Sequence, residues 1–160
     1  MIGSPRVHHR LTDSTNERAK ELALAGAPHG TLVTADEQTA GRGRQGREWT
    51  APPRSAVLMS VVLRELDEML PLAAAVAVAE SVPGDATIKW PNDIWIEGRK
   101  VAGILVEGRP QEGWAVLGAG LNVSTEAFPA ELAESATSLR LSGIEGDTES
   151  VLASILRQLD

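Results

Sequence analysis

Asp93-Ile94-Trp95-Ile96-Glu97-Gly98-Arg99-Lys100-Val101-Ala102-Gly103-Ile104-Leu105 decides the fold class of this chain. Apolar, partly β-branched runs flank Glu97-Gly98-Arg99, which predicts a hairpin between strands at Asp93–Ile96 and Lys100–Glu107. Upstream, Thr87–Trp90 is strand-like and ends at Pro91; downstream, Trp114–Leu121 adds a strand after a Pro/Gly turn. Thr31–Ala35 and Ala56–Leu63 read as buried strands, and Val7–Leu11 as a short strand with His8 and His9 on opposite faces. Helical spacing appears in three places. Ser14-Thr15-Asn16-Glu17 has capping-box spacing, with Ser14 as cap and Glu17 reaching back, ahead of Ala19, Leu22, Ala23 and Ala25 and a stop at Gly26. Leu70–Val82 is entered through Pro71 in its first turn, and a last helix capped by Thr148 carries Val151, Leu152, Ile155, Leu156 and Leu159 on one face. Hairpin strands beside one another, with helices interposed elsewhere, predict an α+β domain: a mixed, largely antiparallel sheet with flanking helices.

The composition limits the classes open to it. At 160 residues one domain is expected, long enough to bury a proper core. There is no cysteine, which excludes a disulfide framework and thiolate metal or redox chemistry. No signal-peptide pattern opens the chain, and no apolar run has the length to cross a bilayer, so the expected compartment is the cytoplasm and no membrane partner is expected. A formal net charge of −7 argues against a general nucleic-acid binder, which is usually basic over a whole face. His8, His9 and His29 are scattered without metal spacing and read as structural.

Against that acidity, one stretch gathers positive charge: Glu37-Gln38-Thr39-Ala40-Gly41-Arg42-Gly43-Arg44-Gln45-Gly46-Arg47-Glu48-Trp49. Residues 38–55 have no periodicity and read as a long loop, a length usually tied to function or disorder. Glycines let backbone N–H groups approach a ligand closely, and guanidinium forks hold phosphate or carboxylate oxygens in pairs. A loop that handles phosphate is the natural reading.

That loop stands in an ordered series: Asp13-Ser14-Thr15-Asn16, the Gly/Arg loop, Ile88-Lys89-Trp90-Pro91-Asn92-Asp93-Ile94, Gly98-Arg99-Lys100-Val101-Ala102-Gly103-Ile104-Leu105, Gly118-Ala119-Gly120-Leu121-Asn122-Val123 and Ala136-Thr137-Ser138-Leu139. From about Thr12 to Leu139 the chain resembles the catalytic domain of biotin protein ligases, the biotin–acetyl-CoA-carboxylase ligases. The resemblance implies a sheet of the class II aminoacyl-tRNA synthetase/biotin ligase type and a two-step reaction. Biotin carboxylate attacks the α-phosphorus of ATP to give biotinyl-5′-adenylate and pyrophosphate, with Mg²⁺ as cofactor. The ε-amine of a lysine on a biotin carboxyl carrier protein, or on the carrier domain of acetyl-CoA carboxylase or a related carboxylase, then takes the biotinyl group and AMP leaves.

The resemblance also implies roles for residues. Lys100 matches the family lysine at the biotin carboxylate and α-phosphate, with Arg42 and Arg44 as the other catalytic cations. Ser14, Thr15, Asn16, Gln38, Gly41, Arg42, Gly43, Arg44, Trp90, Lys100, Gly103 and Leu105 match biotin-side positions. Arg42, Arg44, Arg47, Trp49, Asn92, Asp93, Lys100 and Asn122 match the nucleotide side, with Trp49 covering adenine. Some of these also have plain readings. Ser14 caps a helix, Trp90, like Trp95 and Trp114, fits core packing, Lys89 points either way, and Asp93 is open between a Mg²⁺ ligand, a group that positions the acceptor lysine, and an ordinary turn residue after Pro91.

In extent, residues 1–160 are expected to form the catalytic domain. The helix-turn-helix domain that precedes it in repressor members is expected to be absent, and the small C-terminal β-barrel absent or truncated. Family members often pair through sheet edges, so a homodimer is open. Two other readings compete: a lipoate or octanoyl protein ligase, which shares the fold and acyl-lysine logic, and a non-catalytic biotin or nucleotide sensor.

Overall fold

The apolar run Ala56–Leu63 forms strand β3 and is buried at every position, so its sequence has no need of polar alternation: helices pack on both of its faces. The computed structural model describes residues 1–160 and sets β3 near the middle of a seven-stranded sheet. The other strands are β1 (Arg6–His9), β2 (Leu32–Ala35), β4 (Thr87–Lys89), β5 (Asp93–Ile96), β6 (Arg99–Arg109) and β7 (Trp114–Asn122). Their order is β1-β2-β3-β7-β6-β5-β4, with β1 and β2 parallel and every other pair antiparallel. The mixed, largely antiparallel α+β sheet is therefore as the sequence predicts. The β5–β6 turn is tighter than expected: Ile96 pairs with Arg99, so only Glu97 (φ 49°) and Gly98 (φ 77°) are unpaired. Two consecutive left-handed residues match the twist of a hairpin.

Alternation within the strands divides the sheet into two unlike faces. On one, Val57, Met59, Val61 and Leu63 of β3 and Leu117, Ala119 and Leu121 of β7 form the main core with helices α2 (Leu70–Ser81) and α3 (Thr148–Leu159). Each large aliphatic side chain buried there contributes about 1.5–3 kcal/mol. On the other, Val62 and Val116 pack on Ala19 and Ala23 of helix α1 (Thr15–Leu24). Further along that second face the strands carry Ser60, Gly118, Gly120, Asn122 and Gly103 instead of bulky side chains, and the surface becomes the floor of a cleft.

Two helix caps differ from the sequence reading. Ser14 occupies the N-cap position of α1, but its side chain makes no cap bond. Gln38 Oε1 instead accepts the Thr15 N–H at 2.8 Å, and Glu17 turns to Lys20 and Arg42. A distant amide thus satisfies the helix end, leaving Ser14 buried against the cleft. In α3 the cap is Asp147 and not Thr148: Asp147 Oδ1 accepts the Ser150 N–H at 2.8 Å and Ser150 Oγ accepts the Asp147 N–H at 3.2 Å. Aspartate at this position also complements the helix dipole. Asp147→Ala is expected to lower stability by about 1 kcal/mol and the midpoint of thermal unfolding by about 2–4 °C, measurable by calorimetry. An unchanged midpoint would assign the cap no energetic part.

Candidate active-site cleft

A cleft of about 570 Å³ lies on the sparsely covered sheet face. Its floor is made by glycine. Gly103 of β6 and Gly120 of β7 are register partners, and a Cβ at Gly120 would lie 2.5 Å from the Trp49 ring, one at Gly103 3.2 Å. The Trp49 indole rests on this two-glycine platform, and its buried Nε1–H has no partner. Gly118, one pleat away, makes room for Asn16: a Cβ there would come within 2.8 Å of the Asn16 Cγ.

Over the floor stands the Gly/Arg stretch, which is more ordered than its lack of periodicity predicts. Residues 41–49 form a small hairpin. Arg42 and Glu48 are bridged, the Gly43 N–H donates to Arg47 O at 2.8 Å, the Trp49 N–H donates to Gly41 O at 2.9 Å, and Arg44–Gly46 make a 3₁₀ turn at the tip. Sequence periodicity misses such a hairpin because glycine and arginine pair through the backbone, with no apolar face to mark them. Gly41 at its base is buried and, unlike the other residues named for the biotin side, does not line the cleft; a Cβ there would strike the Trp49 carbonyl, so this glycine permits the hairpin to close. Gly43 lines the cleft.

The cations are placed differently from one another. Lys100 Nζ is 2.9 Å from Asp93 Oδ1 and 5.7 Å from the Trp49 ring centre. Its backbone is held on the β6 edge by segment 135–137: the Lys100 N–H donates to Ser135 O, and Lys100 O accepts the Thr137 N–H, both at 2.8 Å. Arg44 donates to Asn92 Oδ1 at 3.3 Å, and neither it nor Arg47 makes an ion pair. Arg42, by contrast, pairs with Glu17 Oε1 and, at 3.2 Å, with Glu107 Oε1. Lys89 turns onto the Trp95 ring, 4.1 Å from its centre.

At one end of the cleft the polar side chains are mutually fixed. Gln38 Oε1 accepts from both the Thr15 N–H and Thr15 Oγ1, and the Asn16 carboxamide donates to Glu107 Oε2 at 3.0 Å and accepts from Ser60 Oγ at 2.6 Å. At the other end, Asn122 donates to Thr137 O at 3.1 Å while its buried Oδ1 has no partner. Leu105 lines the cleft, as do Phe128 and Leu132, and so does Trp90, which is 71% exposed. Every residue named from the sequence lines this cleft except Gly41. Those it missed are Gly118 and Gly120 in the lining and, behind it, Ser60 and Glu107, which hold Asn16. Ser60 left a signal, a lone hydroxyl in an otherwise apolar strand.

Glu17 is paired with both Lys20 and Arg42. The hydrogen bond from Lys20 holds its carboxyl below the ordinary glutamate range, with the charges of Lys20 and Arg42 adding to the effect. A depressed folded-state pKa stabilises the fold above the unfolded-state value, about 4.3, and that contribution is lost as pH falls through the folded-state value. Solvent screening moderates it, since the side chain is 34% exposed. Glu17→Gln is expected to flatten stability against pH below about pH 4.3, as read by urea denaturation at stepped pH; a slope equal to that of the unaltered chain would remove Glu17 from acid sensitivity.

Comparison with known proteins agrees with this geometry. The family model described as biotin/lipoate A/B protein ligase matches residues 8–122. The bifunctional ligase/repressor BirA of Bacillus subtilis is 41% identical over 171 residues, covering 98% of this chain and 53% of its own length. A biotin–[acetyl-CoA-carboxylase] ligase of Mycobacterium tuberculosis is 41% identical over 164 residues, covering 93% and 60%. This chain thus spans little more than half the length of these curated relatives. Among solved structures, a biotin protein ligase from Aquifex aeolicus in complex with biotin and ATP superposes with a TM-score of 0.85 at 31% identity, covering 98% of this chain and 68% of that one. The sheet is of the biotin ligase type that the motifs imply. No helix is long and apolar enough to cross a membrane.

Proposed function

This chain belongs to the biotin/lipoate A/B protein ligase family, and we propose that residues 1–160 are the catalytic domain of an ATP-dependent biotin ligase acting in the cytoplasm. One observation carries the reading: Lys100 on a rigid strand and the unpaired Arg44 and Arg47 converge on one cleft, whose far end is lined by fixed amides and hydroxyls. The cations suit two anions that must meet, and the amides suit a neutral urea ring.

Biotin enters with its ring between Ser14, Thr15, Asn16 and Gln38. Because the Gln38 oxygen is occupied by Thr15, its Nε2 hydrogens remain to donate to the ureido carbonyl. Leu105, Gly103 and Trp90 flank the tail. The carboxylate reaches Lys100, whose ammonium is held in place by Asp93. On the nucleotide side, Trp49 on its glycine platform supports adenine, and the orphaned Asn122 Oδ1 accepts from the exocyclic amine. Arg44 and Arg47, with Asn92 behind Arg44, face the phosphates. A carboxylate oxygen of biotin then bonds to the α-phosphorus and pyrophosphate leaves with the electron pair. Fixed cations offset the charge that builds up, without any reorganisation of solvent. In the second step the ε-amine of a carrier lysine attacks the activated carbonyl and AMP departs. The relatives named as acetyl-CoA-carboxylase ligases support a carboxylase carrier as acceptor.

Magnesium fits only as a companion of the nucleotide. Asp93 is the carboxylate beside Lys100 and is already paired with it, and no three His, Cys, Asp or Glu side chains gather anywhere in the chain. Phosphate oxygens and water would supply most of its ligands, and it would neutralise phosphate charge.

The deciding experiment adds biotin and ATP to the protein and measures pyrophosphate, then transfer of labelled biotin to a carrier domain. Pyrophosphate release dependent on biotin is the expected result. Release with lipoate but not biotin would move the protein to the lipoate branch of the family, and none with either would make it a sensor.

A further inference from the structure

The charge of Arg42 is already matched inside the protein. Its guanidinium lies between Glu17 of α1 and Glu107 of β6, and Lys20 Nζ closes the figure, 2.9 Å from Glu17 and 3.0 Å from Glu107. Two cations and two carboxylates alternate in a ring. Glu107 fastens it to the cleft floor by accepting from Asn16. The Lys20 and Glu107 side chains are each only 21% exposed, so these charges are screened less than an ordinary surface pair, and a network shares the entropic cost of ordering them. A guanidinium held by two carboxylates attracts an arriving anion far less than a free one. Arg44 and Arg47, two and five residues on, have no such partners.

The base of the hairpin is attached to the body of the protein on both of its arms, by Trp49 on the glycine platform and by Arg42 in this ring, while its tip makes only the longer Arg44–Asn92 contact at 3.3 Å. We propose that the ring is a latch: Glu17 and Glu107 grip Arg42 and through it fix where Arg44 and Arg47 stand over the cleft. Arg42, Glu17 and Glu107 are then positioning residues, and the electrostatic work on the ligand falls to Arg44, Arg47 and Lys100. That the ligand is an adenylate rests on the function proposed above; the latch itself does not.

The test compares Glu17→Gln/Glu107→Gln, Arg42→Ala and the triple variant. At Glu107 glutamine can keep the oxygen that accepts from Asn16, while its amide nitrogen replaces the oxygen that Arg42 and Lys20 share, so the variant removes both the charge and the acceptor that hold Arg42. The first readout needs no ligand: the rate of trypsin cleavage after Arg44 and after Arg47. Charge-assisted bonds of this kind change equilibria by about tenfold or more, so cleavage is expected to rise about tenfold in the carboxylate pair and in Arg42→Ala, and no further in the triple variant. Should the pair lower global stability, Glu17→Gln alone carries the same comparison. The second readout is KM for ATP in pyrophosphate release with biotin saturating, expected to rise about tenfold in both variants. Wild-type cleavage in the carboxylate pair, or effects that multiply in the triple variant, would overturn the latch and return Arg42 to direct contact with ligand. If the unaltered chain releases no pyrophosphate, the ligase reading fails, while the cleavage rates still decide the latch.

Discussion

Lys100→Ala is expected to slow biotin-dependent pyrophosphate release by about 10²–10³-fold, or about 3–4 kcal/mol, the usual loss when one preorganised group facing developing charge is removed. The reason is geometric. Lys100 is pinned on both sides of its backbone by Ser135 and Thr137, its ammonium by Asp93, and it projects into the cleft shared by Arg44, Arg47 and the Gln38 end. A cation fixed this way needs no rearrangement as the carboxylate and α-phosphate approach, whereas water must turn to meet them. Lys100→Arg is expected to recover little, because a planar fork does not reproduce a point charge at that spot. The measurement is single-turnover release of pyrophosphate with biotin saturating. A rate within threefold of the unaltered protein would take Lys100 out of the chemistry.

The second large effect falls on a residue that touches no ligand in the scheme. In Gly118→Ala the new methyl would press on the Asn16 carboxamide, and that group has nowhere to go: its nitrogen is committed to Glu107 and its oxygen to Ser60. Overpacking of this kind costs about 1–3 kcal/mol. The strain passes to the first turn of α1, and from there to Thr15 and the Gln38 amide that caps it. Biotin affinity is therefore expected to fall about 10–100-fold, the same 1–3 kcal/mol expressed in binding, with thermal stability falling alongside. Isothermal titration with biotin is the check; full affinity would mean that Asn16 moves freely and the floor is not rigid. Gly118→Ala combined with Asn16→Ala should regain part of the lost stability, since the collision is then removed.

Much of this was legible in the residues. The hairpin at 93–107, the buried β3 and the Pro71 entry to α2 follow from composition and period, because apolar burial imposes its spacing locally. The cluster of arginines and glycines, the lysine on the hairpin strand and the polar Ser14-Thr15-Asn16 turn were visible as candidate chemistry. The caps were not: whether Ser14 or Gln38 satisfies a helix end depends on a partner 23 residues away. Nor was the hairpin within residues 41–49, since backbone pairing leaves no mark in side-chain pattern.

Sequence by itself determined the class of sheet, the family and the set of polar and basic residues that line the cleft. Only the tertiary structure decided how those residues divide their labour. It set Arg42 on Glu17 and Glu107 and left Arg44 and Arg47 without a carboxylate partner; it turned Lys89 onto Trp95 and Lys100 toward Asp93. It also made Gly118 and Gly120 the floor beneath Asn16 and Trp49. The physical reason is that periodicity records only whether a side chain meets water or apolar neighbours. Charge pairing and close approach depend on which distant segments fold to within a few ångströms, and seven strands ordered out of sequence bring α1, the arginine hairpin and β6 together at one edge of the cleft.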